Sequence, residues 1–160
     1  MAGFEVSTEV MLDRSLMIAP PPVVAEALAR TREALAALVR RCGELGADLV
    51  VLVIPAAIQA EPARFQDFLA QHREATRGSY SRTQLHRHLV DMVRTLGIRV
   101  ADPLPRLEAE AEAGRPCYHR EGHWNAAGHA LAADLLQPVL AELFVAREKR
   151  GPRQASGAHP

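Results

Sequence analysis

Lysine is almost missing from this chain. Its 19 basic side chains are 18 arginines and Lys149, set against 19 Asp and Glu, so the formal charge is zero. A nucleic-acid binder carries a basic excess or a basic stripe, and neither is present. Cysteine is scarce too. Cys42 and Cys117 are too few for a disulfide scaffold or a cysteine-based zinc site, and the sequence leaves open whether they pair. No uninterrupted apolar run approaches the roughly 18 residues that span a bilayer. The opening stretch MAGFEVSTEVMLDRSL lacks the basic start and apolar core of a secretory signal. The expectation is therefore no membrane span, with no address that names a compartment. What is abundant is alanine, 28 of the 77 apolar residues, leaving 49 larger ones for a core that is adequate but thin. A length of 160 residues suits one domain, and 24% charge with this apolar content excludes wholesale disorder.

Residues 1–19 have no clear period, and Pro20-Pro21-Pro22 closes them. Val24, Leu28, Leu35, Leu38, Cys42 and Leu45 then recur at helical spacing, predicting a helix over 23–45 with Gly46 as its C-terminal cap. Leu49 to Ile54 is six apolar residues without alternation, the signature of a parallel strand covered on both faces. An excursion over 56–80 holds one short helix around Phe65–Gln71. Ser81-Arg82-Thr83-Gln84 reads as a capping box opening a helix that turns Leu85, Leu89, Val93 and Leu96 inward and ends at Gly97. Ile98–Ala101 is a second strand. Asp102-Pro103 starts a helix to about Gly114, with Asp102 as its cap. A polar loop over 115–125 follows, and Asn125 caps a last helix whose apolar side is Leu131, Leu135, Leu140 and Leu143. Pro138 predicts a kink in it. Beyond Arg147 the tail has little to bury and is expected to be disordered. No internal repeat is present. Two strands are few for this length, so either residues 1–19 hide another strand or, the favoured expectation, the chain is part of a larger sheet completed by an upstream segment or another copy.

The chemistry concentrates in the loop from Cys117 to His129. A histidine imidazole titrates near neutral pH, at about 6.5 when unperturbed, which suits His123 to general-base work. Glu121, two residues earlier, faces the same way on an extended backbone and can orient that ring. A solvated surface pair is the plainer reading of the same two residues. His119, Glu121 and His123 alternate, and so also form a possible ligand set for zinc or another divalent ion. Histidines 86 and 88 sit about 200° apart on a helix and cannot share a ligand. Trp124 reads as a packing aromatic, Gly128 as a close-approach position and His129 as a structural hydrogen-bonding group. Ser79 is a weak surrogate nucleophile in a loop.

The block Glu121-Gly122-His123-Trp124-Asn125-Ala126-Ala127-Gly128-His129 resembles the last conserved block of SGNH/GDSL-type ester hydrolases, most closely the alginate O-acetyltransferase-like branch. That block reads Asp-x-His-Trp-Asn, two residues, then Gly-His, and it supplies the acid and base of a Ser-His-Asp triad. The resemblance covers residues 20–145 and implies a three-layer α/β/α fold with a parallel sheet, of SGNH-hydrolase (flavodoxin-like) type, incomplete in this chain. It divides the chain into an undefined segment 1–19, the SGNH-like part 20–146 and a tail 147–160. It implies ester hydrolysis or O-acyl transfer on a small-molecule or carbohydrate ester, with His123 as base, Glu121 as acid and no cofactor. The sequence departs from the pattern in two places. Glu121 stands where the family has aspartate, and none of the five serines (Ser7, Ser15, Ser79, Ser81, Ser156) lies in a Gly-Asp-Ser block. A non-catalytic remnant that binds carbohydrate or protein is the rival expectation, with metal binding through His119, Glu121 and His123 the third.

Overall fold

The computed structural model describes residues 14–71 and 79–150, and most of these are helical. Helix α1 (Pro22–Leu45) begins where a proline can begin one, since the first turn needs no backbone donor. It ends on Gly46, whose φ of 64° turns the chain left-handed so that its N–H reaches the carbonyls of Cys42 and Gly43. Val24 is buried, and Leu28, Leu35 and Cys42 are half-buried. Leu38 and Leu45, expected inward, are instead exposed, and Val39 packs in their place. The inward stripe runs through Leu35, Val39 and Cys42, so Leu38 falls to its side, and Leu45 is the last residue of the helix.

Strands β1 (Val50–Leu52) and β2 (Arg99–Ala101) pair in parallel, with Val50 opposite Arg99 and Leu52 opposite Ala101. The Val53 N–H continues the ladder to the Ala101 carbonyl at 3.1 Å. Three helices connect the strands: α2 (Ala57–Ala60), α3 (Pro62–Gln71) and α4 (Gln84–Thr95). The expectation of a strand covered on both faces needs correction. All of β1 is only half-buried and Ile54 just beyond it is 63% exposed. Among the described residues the sheet has two strands, which gives the α/β character expected in reduced form. Helices α1 and α4 pack together, while α4 and α6 (Ala126–Arg150) both pack against β2.

Two clusters form the core. Val53, Val90, Val93 and Ile98 join α4 to the sheet, with Leu35, Val39, Leu89 and Leu96 around them. Ala57, Ala60, Leu104, Leu107, Cys117, Tyr118 and Leu131 form the second cluster, between α2, α5 (Leu104–Glu112) and α6. The small alanines let α2 approach closely. The expected capping box at 81–84 is absent. Thr83 precedes α4 without a side-chain cap, and Gln84 instead donates from Nε2 to the Ile18 carbonyl at 3.1 Å. Leu16 is buried beneath this contact, and its carbonyl accepts from the Ser81 N–H. Residues 14–19, read as featureless, thus pin the start of α4, and Met17 bridges to Tyr80 in antiparallel fashion.

Helix α6 runs unbroken through Pro138 to Arg150, three residues past the expected start of the tail. Residues 1–13 and 151–160 lie outside the described part, with most of the undefined N-terminal segment and of the tail. Leu131 and Ala132 are buried, but Leu140, Phe144 and Val145 are exposed. Over Ala126–Lys149 the helix is long and apolar enough to cross a membrane by length and composition, with 17% of its most apolar window buried. Asp134 and Gln137 interrupt its alanine- and leucine-rich segment, so the sequence shows no unbroken apolar run there. Core helices of globular proteins share the property.

Candidate functional site

Both strands deliver their carboxyl ends to one place, the position where open parallel sheets keep their ligands. Pro55 follows β1 there, and Asp102 follows β2. The loop between α5 and α6 returns to this end as a narrow hairpin. Tyr118 bridges Trp124, the His119 N–H donates to the His123 carbonyl at 2.7 Å, and the Asn125 N–H donates to Cys117 at 3.0 Å. The tip closes through Gly122, whose N–H reaches the His119 carbonyl at 3.0 Å with a φ of 95°. Few residues other than glycine adopt that angle. The hairpin is anchored at its base. Asn125 Oδ1 accepts from the N–H groups of Ala127 and Gly128 at 2.9 and 3.1 Å, and its amide donates to the Pro116 carbonyl. Gly128 must be small because a Cβ there would lie 2.5 Å from the Cys117 carbonyl oxygen. The cap and the close approach expected at Asn125 and Gly128 are both present.

A cleft of about 230 Å³ opens beside the hairpin, lined by Ile54, Pro55, Tyr118, Gly122, His123, Trp124 and His129. Tyr118 ties the loop to the sheet, donating its hydroxyl to the Pro55 carbonyl at 2.8 Å. Burial pushes the Tyr118 phenol up to about 12, opposed by the nearby Trp124 indole and reinforced by the charge of Glu61. A phenol so placed is neutral and already committed as a donor. Cys117 is a free buried thiol raised by its burial, aided by the charges of Glu110 and Glu61, so it too is no ready nucleophile. Trp124 packs half-buried on the second core cluster and meets His129 edge to face, with ring centroids 5.7 Å apart. That ring contact, and no side-chain hydrogen bond, is what His129 makes among the described residues.

Glu121 and His123 are both exposed at the hairpin tip, where a turn through Gly122 stands in place of the extended backbone expected between them, and His123 lines the cleft wall. Among the described residues no hydrogen bond joins their side chains. His119 is exposed on the opposite strand of the hairpin. Among the described residues no three His, Cys, Asp or Glu side chains converge as a ligand set, which removes the observation the metal reading needed. Ser79 contributes its carbonyl to the Ile18 N–H and does not line the cleft.

Sequence reasoning missed two groups at this end of the sheet. His86, 1% exposed, lies with its Nε2 2.7 Å from Asp102 Oδ1, and that same oxygen accepts from the Leu104 N–H at 3.1 Å. Asp102 is the cap it was expected to be, and a histidine partner as well. The signal was present in the period, since His86, Val90 and Val93 are spaced four and three apart and form the buried centre of α4. The second is Arg64, which donates from Nη1 to the Arg120 carbonyl and from Nη2 to that of His119, both at 2.8 Å. No spacing rule links a residue of the excursion to a loop 55 positions later.

The SGNH hydrolase-like domain of acetyltransferase AlgX, as a family model, matches residues 15–157. No curated protein and no solved structure matches the chain. The matched span contains both strands, the cleft and the whole hairpin with Glu121 and His123. With that span covering most of its length, the chain belongs to the family of SGNH hydrolase-like domains of acetyltransferase AlgX.

Proposed function

We propose that this chain carries the base side of an ester acyl-transfer site, with His123 as general base and Glu121 as the acid that orients it. The observation that supports this most is the place of His123, on a turn-stiffened hairpin in the wall of a cleft at the carboxyl end of a parallel sheet. In the reaction, a serine hydroxyl attacks the acyl carbon of an ester as His123 takes its proton. The proton passes to the departing alcohol, leaving the acyl group on the serine. A second alcohol or water then attacks, His123 again accepts the proton and returns it to the serine oxygen. Glu121 stabilises the imidazolium formed in each half, closing on the ring when the site is assembled. The substrate class we propose is an O-acetyl ester on a carbohydrate. The finer architecture, three layers around a wider parallel sheet, is part of the same proposal, with further strands added beside β1 and β2 by a second copy or another segment.

A second reading has its own support. Among the residues lining the cleft, Tyr118 alone bears a hydroxyl and its proton is engaged, so no described side chain there supplies the nucleophile. A module that binds an acylated carbohydrate without turnover fits that wall equally. Hydrolysis of p-nitrophenyl acetate, and acetyl transfer to an oligosaccharide, separate the two. Acyl transfer requires turnover that falls by about 10³-fold or more in His123→Ala. Oligosaccharide binding with no turnover supports the binding module and overturns the first reading.

A further inference from the structure

Arg64 lies in the first turn of α3, and all three of its nitrogens are engaged. Nε pairs with Glu61 Oε2, while Nη1 and Nη2 reach two successive carbonyls of the hairpin tip, those of Arg120 and His119. A guanidinium is a planar fork of five donors, so it can grip two neighbouring acceptors on one edge and a carboxylate on another. Glu61 is nearly buried, its side chain 11% exposed, and its other oxygen is buried without a hydrogen bond among the described residues. Among the described residues its side-chain hydrogen bond goes to Arg64, so the arginine is held from behind. Among the described residues these are the side-chain hydrogen bonds that join α3 to the hairpin. The His119 carbonyl accepts from both Arg64 and the Gly122 N–H, so the clamp and the turn share one atom. Charged donors make the stronger hydrogen bonds, and two of them here fix the backbone three and four residues before His123.

We propose that Arg64, braced by Glu61, is the positioning residue of the His123 loop, holding the tip so that His123 keeps its place in the cleft. Its catalytic meaning rests on the acyl-transfer reading; its effect on the loop does not. The side chains of Glu121 and His123 remain exposed because the tip is held by its carbonyls and not by its side chains. Lysine at position 64 offers a point charge that can serve one carbonyl at a time, so Arg→Lys is not conservative at this site.

The test is amide hydrogen exchange of the whole chain by NMR, comparing wild type, Arg64→Ala, Arg64→Lys and Glu61→Gln. The Gly122 amide is expected to exchange at least about tenfold faster in Arg64→Ala, with Arg64→Lys and Glu61→Gln in between. The Val53 amide, bonded to Ala101 inside the sheet, should stay within about twofold. An unchanged Gly122, or equal acceleration at Val53, overturns the proposal. If Arg64→Ala does not fold, the two milder variants make the same comparison. In turnover, Arg64→Ala is expected to lower kcat more than it raises KM, and a loosened loop with untouched kcat also overturns the positioning role. Failure of the acyl-transfer reading shows separately, as turnover indifferent to His123→Ala.

Discussion

Two histidines at the carboxyl end of this sheet are set beside carboxylate residues, His86 by contact and His123 by sequence alone, and the two places differ in almost every physical respect. His86 is sealed between α4 and β2, 2.7 Å from Asp102, whose oxygen also caps α5. His123 stands exposed on a hairpin tip beside Glu121, with no side-chain partner among the described residues. The difference follows from solvation. A ring taken out of water must find an acceptor or forfeit its hydrogen bond, so His86 is locked into the fold. A ring left in a cleft keeps both nitrogens for exchange with a substrate. The well-formed His86–Asp102 pair is thus part of the fold, and on the acyl-transfer reading proposed above the exposed His123 is the ring left for chemistry. Apo sites are often loosely paired for this reason.

The widest gap between the two is expected in substitution. His123→Ala should reduce acyl transfer by about 10³-fold or more and leave the thermal midpoint nearly unmoved, because its side chain is exposed. Glu121→Gln should lose less than His123→Ala, since the amide can still hold the ring while lacking the charge; steady-state rates compare the two, and a larger loss would contradict the roles given. His86→Ala should do the reverse, costing about 2–4 kcal/mol in urea denaturation, since it opens a buried space and leaves Asp102 with only its cap. Gly128→Ala should cost about 1–3 kcal/mol by the same measurement, as the new methyl forces the Cys117 carbonyl away. Tyr118→Phe has the smallest effect, about 1 kcal/mol near neutral pH, from one lost hydrogen bond. Its sharper signature is at alkaline pH. The folded phenol titrates near 12 and an unfolded one near 10, so its contribution is whole below pH 10 and falls as pH rises through 12. Alkaline stability curves of wild type and Tyr118→Phe should therefore converge across that window.

The elements governed by local rules were legible before the structure. Proline before α1, Gly46 after it, Asn125 and Gly128 each act through their own backbone neighbourhood, and each stands where its chemistry placed it. What was illegible depends on partners distant in sequence. Ser81 and Gln84 have the composition of a capping box, yet the Leu16 and Ile18 backbone competes for them and wins. Leu38 has the right spacing, yet Val39 beside it takes the place on the core, and Leu45 lies at the helix end. The inward face of α4 holds Leu89, Val93 and Leu96 as expected and extends to His86 and Val90, the histidine being admitted because Asp102 satisfies it. Glu121 and His123 could be named from their block, but Arg64 could not, since its hold on the hairpin exists only in three dimensions.

The most direct test of the central claim is intact mass after treatment with a serine-reactive fluorophosphonate, in wild type, His123→Ala and the exposed-histidine control His88→Ala. The account predicts one adduct in wild type and in His88→Ala and none in His123→Ala, with peptide mapping naming the nucleophile. The same adduct in His123→Ala, or no adduct on folded wild type, would contradict it.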